Sequence, residues 1–316
     1  MQVSPELKDR RLLIAVPDAH LRGILRNFFS RLLTVELAET ANQAIVAVEG
    51  SAAEFDAVLI DMNMPPSGLD IVARIRREYP HLPIALLVSQ DYEGYFPLLN
   101  KHDVFCVIVR TAPLDFDELQ IAIENLILPT KAFGLARYLP APLSMHEKVI
   151  LSLSDKQEMM EDALKLFHRF RPHDTDISQI RLAFEELINN AIYHAFRRAS
   201  GAEKYTMGAF DRLERGEQIR VEYGANKHYL GCSVRDNQGT LDVTTVMKKI
   251  ERQITQEGLM DQSGRGLYLT RTLSDKMIIN IHPQVATEVI LLFAHRNRPK
   301  VKPFYLNQVR TLGLPA

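Results

Sequence analysis

Phe184-Glu185-Glu186-Leu187-Ile188-Asn189-Asn190-Ala191-Ile192-Tyr193-His194-Ala195 is the stretch on which the C-terminal half of this chain depends. At helical spacing, Leu187, Ala191 and Ala195 form one apolar stripe, and Glu186 and Asn190 lie one turn apart on a neighbouring face. A carboxylate and a carboxamide are thereby aimed at the same place. Asn190 offers a hard oxygen suited to Mg²⁺, and Glu186 can take a proton from a nucleophile or hold a water on the metal. Alone, such a pair describes a solvated helix edge, so its meaning rests on the segments nearer the C-terminus.

Three of these segments supply the context. Asp236-Asn237-Gln238-Gly239-Thr240 comes after a hairpin pattern, 220–225 and 229–234 with Asn226-Lys227-His228 at the turn. An aspartate ending a strand before a glycine turn can accept a hydrogen bond from a purine amine. Ser263-Gly264-Arg265-Gly266-Leu267 opens a helix whose free N–H groups and dipole suit phosphate, with Arg265 as an added cation. Val285 to Phe293 reads as a core strand with Thr287 at its entry.

In this order the four segments resemble the Bergerat ATP-binding fold, over roughly residues 147–296. Glu186 four before Asn190, with His194-Ala195-Phe196 after them, is most similar to the anti-sigma-factor serine kinases of partner-switching systems. The resemblance implies ATP and Mg²⁺ as cofactors, with Asn190 on the metal and Glu186 as general base toward a serine hydroxyl. It further implies that Asp236 reads adenine with Thr287 in support, and that Gly239, Gly264, Arg265, Gly266 and Leu267 border the nucleotide. Residues 255–263, with Gly258, would be the lid. Gln238 and Thr240 stand where the family favours glycine. The implied partners are a sigma factor and a STAS-domain antagonist. A non-catalytic ATP-dependent binding module is the alternative, and a hybrid histidine kinase is disfavoured because no two-helix hairpin presents a histidine.

The first half alternates apolar runs with helical patterns. Strands are expected at 12–16, 34–38, 57–60, 84–88 and 105–109, and helices at 21–33, 41–48, 69–77, 95–100 and 115–128. That alternation makes a doubly wound parallel sheet of flavodoxin-like order, an α/β fold whose ligands gather at the strand ends. Asp61 lies at one such end, before Met62-Asn63-Met64-Pro65 and Gly68, and Ser89 ends the fourth strand. These residues resemble the receiver domain of two-component response regulators, over roughly 9–129, with Asp61 as its phospho-acceptor. Two departures matter: Val16-Pro17 leaves only Asp18 where the family has an acidic pair, and Ala112-Pro113 stands in place of lysine-proline, with Arg110 nearby. Phosphoryl transfer to a carboxylate needs those charges. The expectation is a pseudo-receiver that dimerises or docks a partner.

The 316 residues thus divide into a receiver-like domain (1–129), a linker (130–146), an α/β-sandwich ATP-binding domain (147–297) and a tail (298–316). A formal charge of -1 and 46% hydrophobic content give no global pull toward nucleic acid or a membrane, and a cytoplasmic signalling protein able to form a homodimer is expected. Ser154-Asp155-Lys156-Gln157 reads as a capping box, and Asp174-Thr175-Asp176 as the cap of the helix bearing Glu186. Cys106 and Cys232 read as buried thiols, His146 as a surface residue, the charged runs 197–205 and 211–216 as solvated loop, and Tyr305, Leu306, Val309 and Leu312 as a short returning helix.

Overall fold

A computed structural model describes residues 5–51, 54–89, 91–170, 174–254, 265–295 and 301–309. The chain forms two compact units: Met1–Lys131 with Pro303–Tyr305, and Ala132–Lys302 with Leu306–Ala316.

In the first unit, β1 (Arg11–Ala15), α1 (Ala19–Phe29), β2 (Thr34–Ala38), α2 (Ala41–Ser51), β3 (Ala57–Asp61), α3 (Gly68–Glu78), β4 (Ile84–Val88), α4 (Phe96–Lys101), β5 (Cys106–Val109) and α5 (Phe116–Ile127) alternate along the chain. The strands pair in parallel in the order β2-β1-β3-β4-β5. This is the flavodoxin-like order. Strands β3 and β4 are buried at every residue, as their unbroken apolar runs require in a sheet covered on both faces, while edge strand β2 is buried only at Ala38. Asp18 caps α1, accepting from the Leu21 N–H at 2.9 Å.

In the second unit, β6 (Ser144–Ile150), α6 (Leu153–Phe170), α7 (Asp174–His194), β7 (Ile219–Ala225), β8 (Tyr229–Asp236), α8 (Val243–Ile254), α9 (Arg265–Leu273), β9 (Lys276–His282) and β10 (Ala286–Ala294) succeed one another. The sheet order is β9-β10-β8-β7-β6, antiparallel throughout. Cys232 stands opposite Tyr223 and Leu291, so these side chains share one face. Tyr223 meets Phe167 of α6 edge-on at 6.4 Å, and Phe167 lies 6.3 Å from Phe184 of α7. That face is therefore the one the helices cover, and by alternation it also carries Val234, Asp236 and Thr287. Both cysteines are buried, and desolvation pushes the Cys106 thiol up to about 12.

Two expectations need correction. The tail is a strand, β11 (Phe304–Gln308), not a helix; Leu312 lies outside the described residues. Within the first unit, Phe304 and Tyr305 pair antiparallel with Val107 and Cys106 of β5, and the Tyr305 hydroxyl donates to Glu118 at 2.7 Å. A free sheet edge satisfies the backbone groups that a short helix would leave bare at its ends. The capping box of α6 sits two residues earlier than read: the Asp155 N–H donates to Ser152 Oγ at 3.2 Å, and the Ser152 N–H to Asp155 Oδ2 at 2.8 Å. The charged runs 197–205 and 211–216 are loop and largely exposed, as expected, and a small cluster anchors them. Tyr205 packs edge-on against Phe196 and Phe210 at 5.9 and 5.4 Å, and Glu217 accepts from Lys204 Nζ at 2.7 Å and from the Tyr205 hydroxyl. The side chains of Asp174, Thr175 and Asp176 lie outside the description. His146 is exposed as expected, stacked on Tyr223 at 5.3 Å. No helix among the described residues is long and apolar enough to cross a membrane.

Candidate functional site

Asp236 ends β8 with its side chain on the helix-covered face, and only 7% of the residue is exposed. Its Oδ1 accepts the N–H groups of Gln238 at 2.8 Å, Gly239 at 2.9 Å and Thr287 at 3.3 Å. Oδ2 takes none of these main-chain bonds. Burial raises the Asp236 pKa above the ordinary value of 3.8, against the lowering effect of those three N–H groups. Thr287 is directly opposite Asp236 in the β8–β10 ladder. Its buried hydroxyl lies close enough to favour the ionised aspartate, yet makes no hydrogen bond of acceptable geometry. A buried hydroxyl without a partner is one that a ligand can satisfy.

The turn after Asp236 has to contain glycine. Gly239 has φ +61°, and a Cβ there would come within 2.7 Å of the Val285 nitrogen and meet the His282 carbonyl. The Thr240 hydroxyl donates to the Ala195 carbonyl at 2.9 Å, tying this turn to the end of α7. The adenine-reading candidates and the Glu186 helix are thus fastened to each other.

Glu186 and Asn190 are both half-buried on α7. Glu186 lies against the first turn of α9: a Cβ on Gly266 would stand 2.7 Å from Glu186 Cδ and collide with Oε1. Glycine at 266 is what lets the carboxylate reach the start of that helix. Leu267, the next residue, is half-buried and uses its carbonyl to hold the Thr270 hydroxyl at 2.8 Å. Gly264, the proposed lid 255–263 and the side chain of Arg265 lie outside the described residues.

The sequence reading missed Lys156. From α6 its Nζ donates to Asn189 Oδ1 at 2.6 Å; burial lowers its pKa while the charges of Glu185 and Glu186 raise it. It lies about thirty positions before the helix it touches, and no local pattern links the two.

Among the described residues, no group of three or more His, Cys, Asp or Glu side chains is arranged to hold a metal ion. The donors here suit an ion that takes most of its oxygens from phosphates and water, with Asn190 adding one. A cleft of about 230 Å³ near Asp236 is bordered by Gln218, Arg220, Arg235 and Asn237. Arg220 and Arg235 oppose each other in register and alternate with the helix-facing residues, so it opens on the other face of the sheet.

In the first unit, Asp61 is 4% exposed, and its Oδ1 accepts from the Asn63 N–H at 2.9 Å; Asn63 Nδ2 donates to Ser89 Oγ at 3.0 Å. Gly68 packs on this turn, where a Cβ would come within 2.8 Å of Met62 Cα. The sequence motif is therefore one physical cluster. The charged side chains that follow β1 are engaged locally. Arg22 donates to the Val16 and Pro17 carbonyls at 2.7 and 3.1 Å, and Asp18 spends a carboxylate oxygen on its helix cap. The Leu21 N–H is the chief cause of the lowered Asp18 pKa, with Arg110 contributing charge.

An antiparallel sheet backed by helices on one face, with a buried aspartate at one strand end and a carboxylate–glycine contact at a helix start, makes the second unit an α/β sandwich. Residues 154–293 match the family profile of the histidine kinase-like ATPase domain. Comparison with curated proteins returns no match. Among solved structures, the chain is similar to a response regulator receiver domain protein from Clostridium thermocellum (22% identity, 39% of this chain, 98% of that chain, TM-score 0.36). It is also similar to the HemR receiver domain from Leptospira biflexa (24% identity, 37% and 94%, TM-score 0.34). A third likeness is to the Thermotoga maritima response regulator TrrA, solved with Mg²⁺ and BeF (23% identity, 37% and 98%, TM-score 0.33). The receiver-like fold of the first unit stands on its own strand order. That unit is followed along the chain by the residues that match the histidine kinase-like ATPase domain.

Proposed function

We propose that the second unit binds ATP with Mg²⁺ and transfers a phosphoryl group to a serine or threonine of a protein substrate, as an anti-sigma-type kinase does. The observation that carries this reading is the seating of Glu186 against Gly266 at the start of α9. It brings a candidate base to a helix N-terminus, where backbone N–H groups and the helix dipole favour phosphate. Asp236 Oδ2 and the Thr287 hydroxyl are available to the adenine amine and its hydration. Asn190 would hold the metal, which supplies charge neutralisation between the phosphates when bound. Glu186 accepts the proton of the substrate hydroxyl, and Gly266 keeps that carboxylate in place. The partners are a sigma-type regulator and its STAS-domain antagonist, and the first unit serves as a pseudo-receiver for dimerisation or docking.

A second reading, nucleotide-controlled binding without phosphoryl transfer, draws support from the turn itself. Gln238 and Thr240 replace small residues, and Thr240 is already bonded to Ala195. Calorimetric titration with ATP and Mg²⁺, followed by labelling of a STAS-domain substrate with γ-labelled ATP, separates the two. In a kinase, Glu186→Gln keeps ATP binding and loses about a hundredfold or more in transfer. In a binding module, wild type and variant bind alike and neither labels the substrate. Failure of wild type to bind ATP would overturn both readings.

A further inference from the structure

The residues just after the first unit, Ala132 to Pro140, lie on the face of the second unit's sheet that the helices do not cover. Their attachment is polar and specific. The Gly134 N–H donates to both oxygens of Glu288, at 2.9 and 3.2 Å, and the Leu135 N–H donates to Glu222 at 2.6 Å. The Ala132 carbonyl accepts from Asn280 Nδ2 and from the Tyr138 hydroxyl, each at 2.7 Å. The Phe133 ring lies 4.7 Å from the Arg235 guanidinium. Leu135 and Leu139 fill the hollow over Gly231, where a Cβ would come within 2.9 and 3.0 Å of their methyl groups.

The chief anchor is a buried acid. Glu288 is 1% exposed and also accepts from Ser233 Oγ at 2.7 Å and Asn280 Nδ2 at 3.0 Å. A buried carboxylate is costly unless its oxygens are saturated with donors, so removing the Gly134 N–H leaves part of that cost exposed. Glu288 and Arg235 face each other across the ladder, and each is the chain neighbour of a nucleotide-site candidate: Glu288 comes just after Thr287, and Arg235 just before Asp236. In a strand, neighbouring residues project to opposite faces of one backbone. Whatever moves the backbone at 235–236 or 287–288 moves both faces together.

We propose that residues 132–140 form a strap that sets the nucleotide affinity of the second unit, with Glu288 as its positioning residue. This rests on the nucleotide reading above. With the strap seated, β8 and β10 hold Asp236 and Thr287 in the spacing that suits ligand; with it released, that spacing relaxes and affinity falls. Coupling of this kind is reciprocal, so bound nucleotide must tighten the strap by the same factor that the strap tightens nucleotide. Because the strap comes directly after Lys131, it is also one of the covalent connections to the first unit.

Hydrogen exchange of the full-length protein at the Gly134 and Leu135 amides, with and without ATP and Mg²⁺, tests this beside calorimetry. In wild type, saturating ATP should slow those two amides by about fivefold or more, the lower end of the usual range of coupling between sites. Glu288→Gln places an amide donor among donors, and Gly231→Ala pushes a methyl group under Leu135 and Leu139. Each should speed exchange at the strap and weaken ATP binding by a similar factor. If ATP binds wild type and leaves strap exchange unchanged, the coupling is overturned even if neither variant folds. It is likewise overturned if a variant loosens the strap while its ATP affinity equals that of wild type. If wild type binds no ATP, the nucleotide reading fails first and the coupling with it.

Discussion

Replacing Asp236 by Asn removes a charge and changes one oxygen to an amide while preserving shape. Oδ1 receives all three main-chain donors, from Gln238, Gly239 and Thr287, so an asparagine that keeps its oxygen there retains the turn. Its Nδ2 then occupies the Oδ2 position and faces the adenine amine, donor against donor. A hydrogen bond to a charged acceptor contributes about 1.5–3 kcal/mol, and leaving a buried donor unsatisfied costs about 1–3 kcal/mol more. At about 1.4 kcal/mol per decade, ATP affinity should fall by roughly two to four powers of ten. Stability should respond in the other direction. Burial raises the Asp236 pKa, so the folded state disfavours the ionised side chain, and its contribution to stability is lost as pH rises through that raised pKa. A neutral asparagine avoids the cost, so the ligand-free variant should melt at or above wild type. Calorimetry and thermal denaturation measure the two effects. A variant that melts lower but binds ATP within threefold of wild type would refute the reasoning and leave Asp236 as a cap for its turn.

Because burial raises the Asp236 pKa, ATP affinity should decline as pH falls through that raised pKa; Asp236→Asn should lack that limb in calorimetry across a range of pH. Gly266→Ala would drive a methyl group into the Glu186 carboxylate, so phosphoryl transfer should drop by about tenfold or more while ATP binding, measured separately, changes less. Incubation with acetyl phosphate and Mg²⁺ should add no phosphoryl mass at Asp61, since Asp18 is committed to capping α1; intact-protein mass spectrometry checks this, and an adduct lost in Asp61→Asn would show a working receiver.

The failure of the tail as a helix has a simple physical cause. Tyr305, Leu306 and Val309 carry apolar surface compatible with either period, and what decided between them was an unpaired strand edge distant in sequence. The Ser152–Asp155 cap shows the smaller form of the same limit, because two serines two residues apart compete for one helix start and only the packed backbone chooses. In the first unit the strands were legible because continuous apolar runs buried on both faces have few alternatives. Likewise Asp236 and Thr287 were legible because strand ends and glycine turns impose their own local chemistry.

By itself the sequence determined the two α/β halves, the helix carrying Glu186 and Asn190, and the strand-end aspartates, since each arises from a period or turn within a few neighbouring residues. Only the tertiary structure decided that Glu186 rests on Gly266, that Lys156 reaches Asn189, and that Gly134 is held by Glu288. Those contacts join residues 33 to 154 positions apart, and they form where packing brings distant elements together, a constraint that acts in three dimensions and leaves no spacing along the chain.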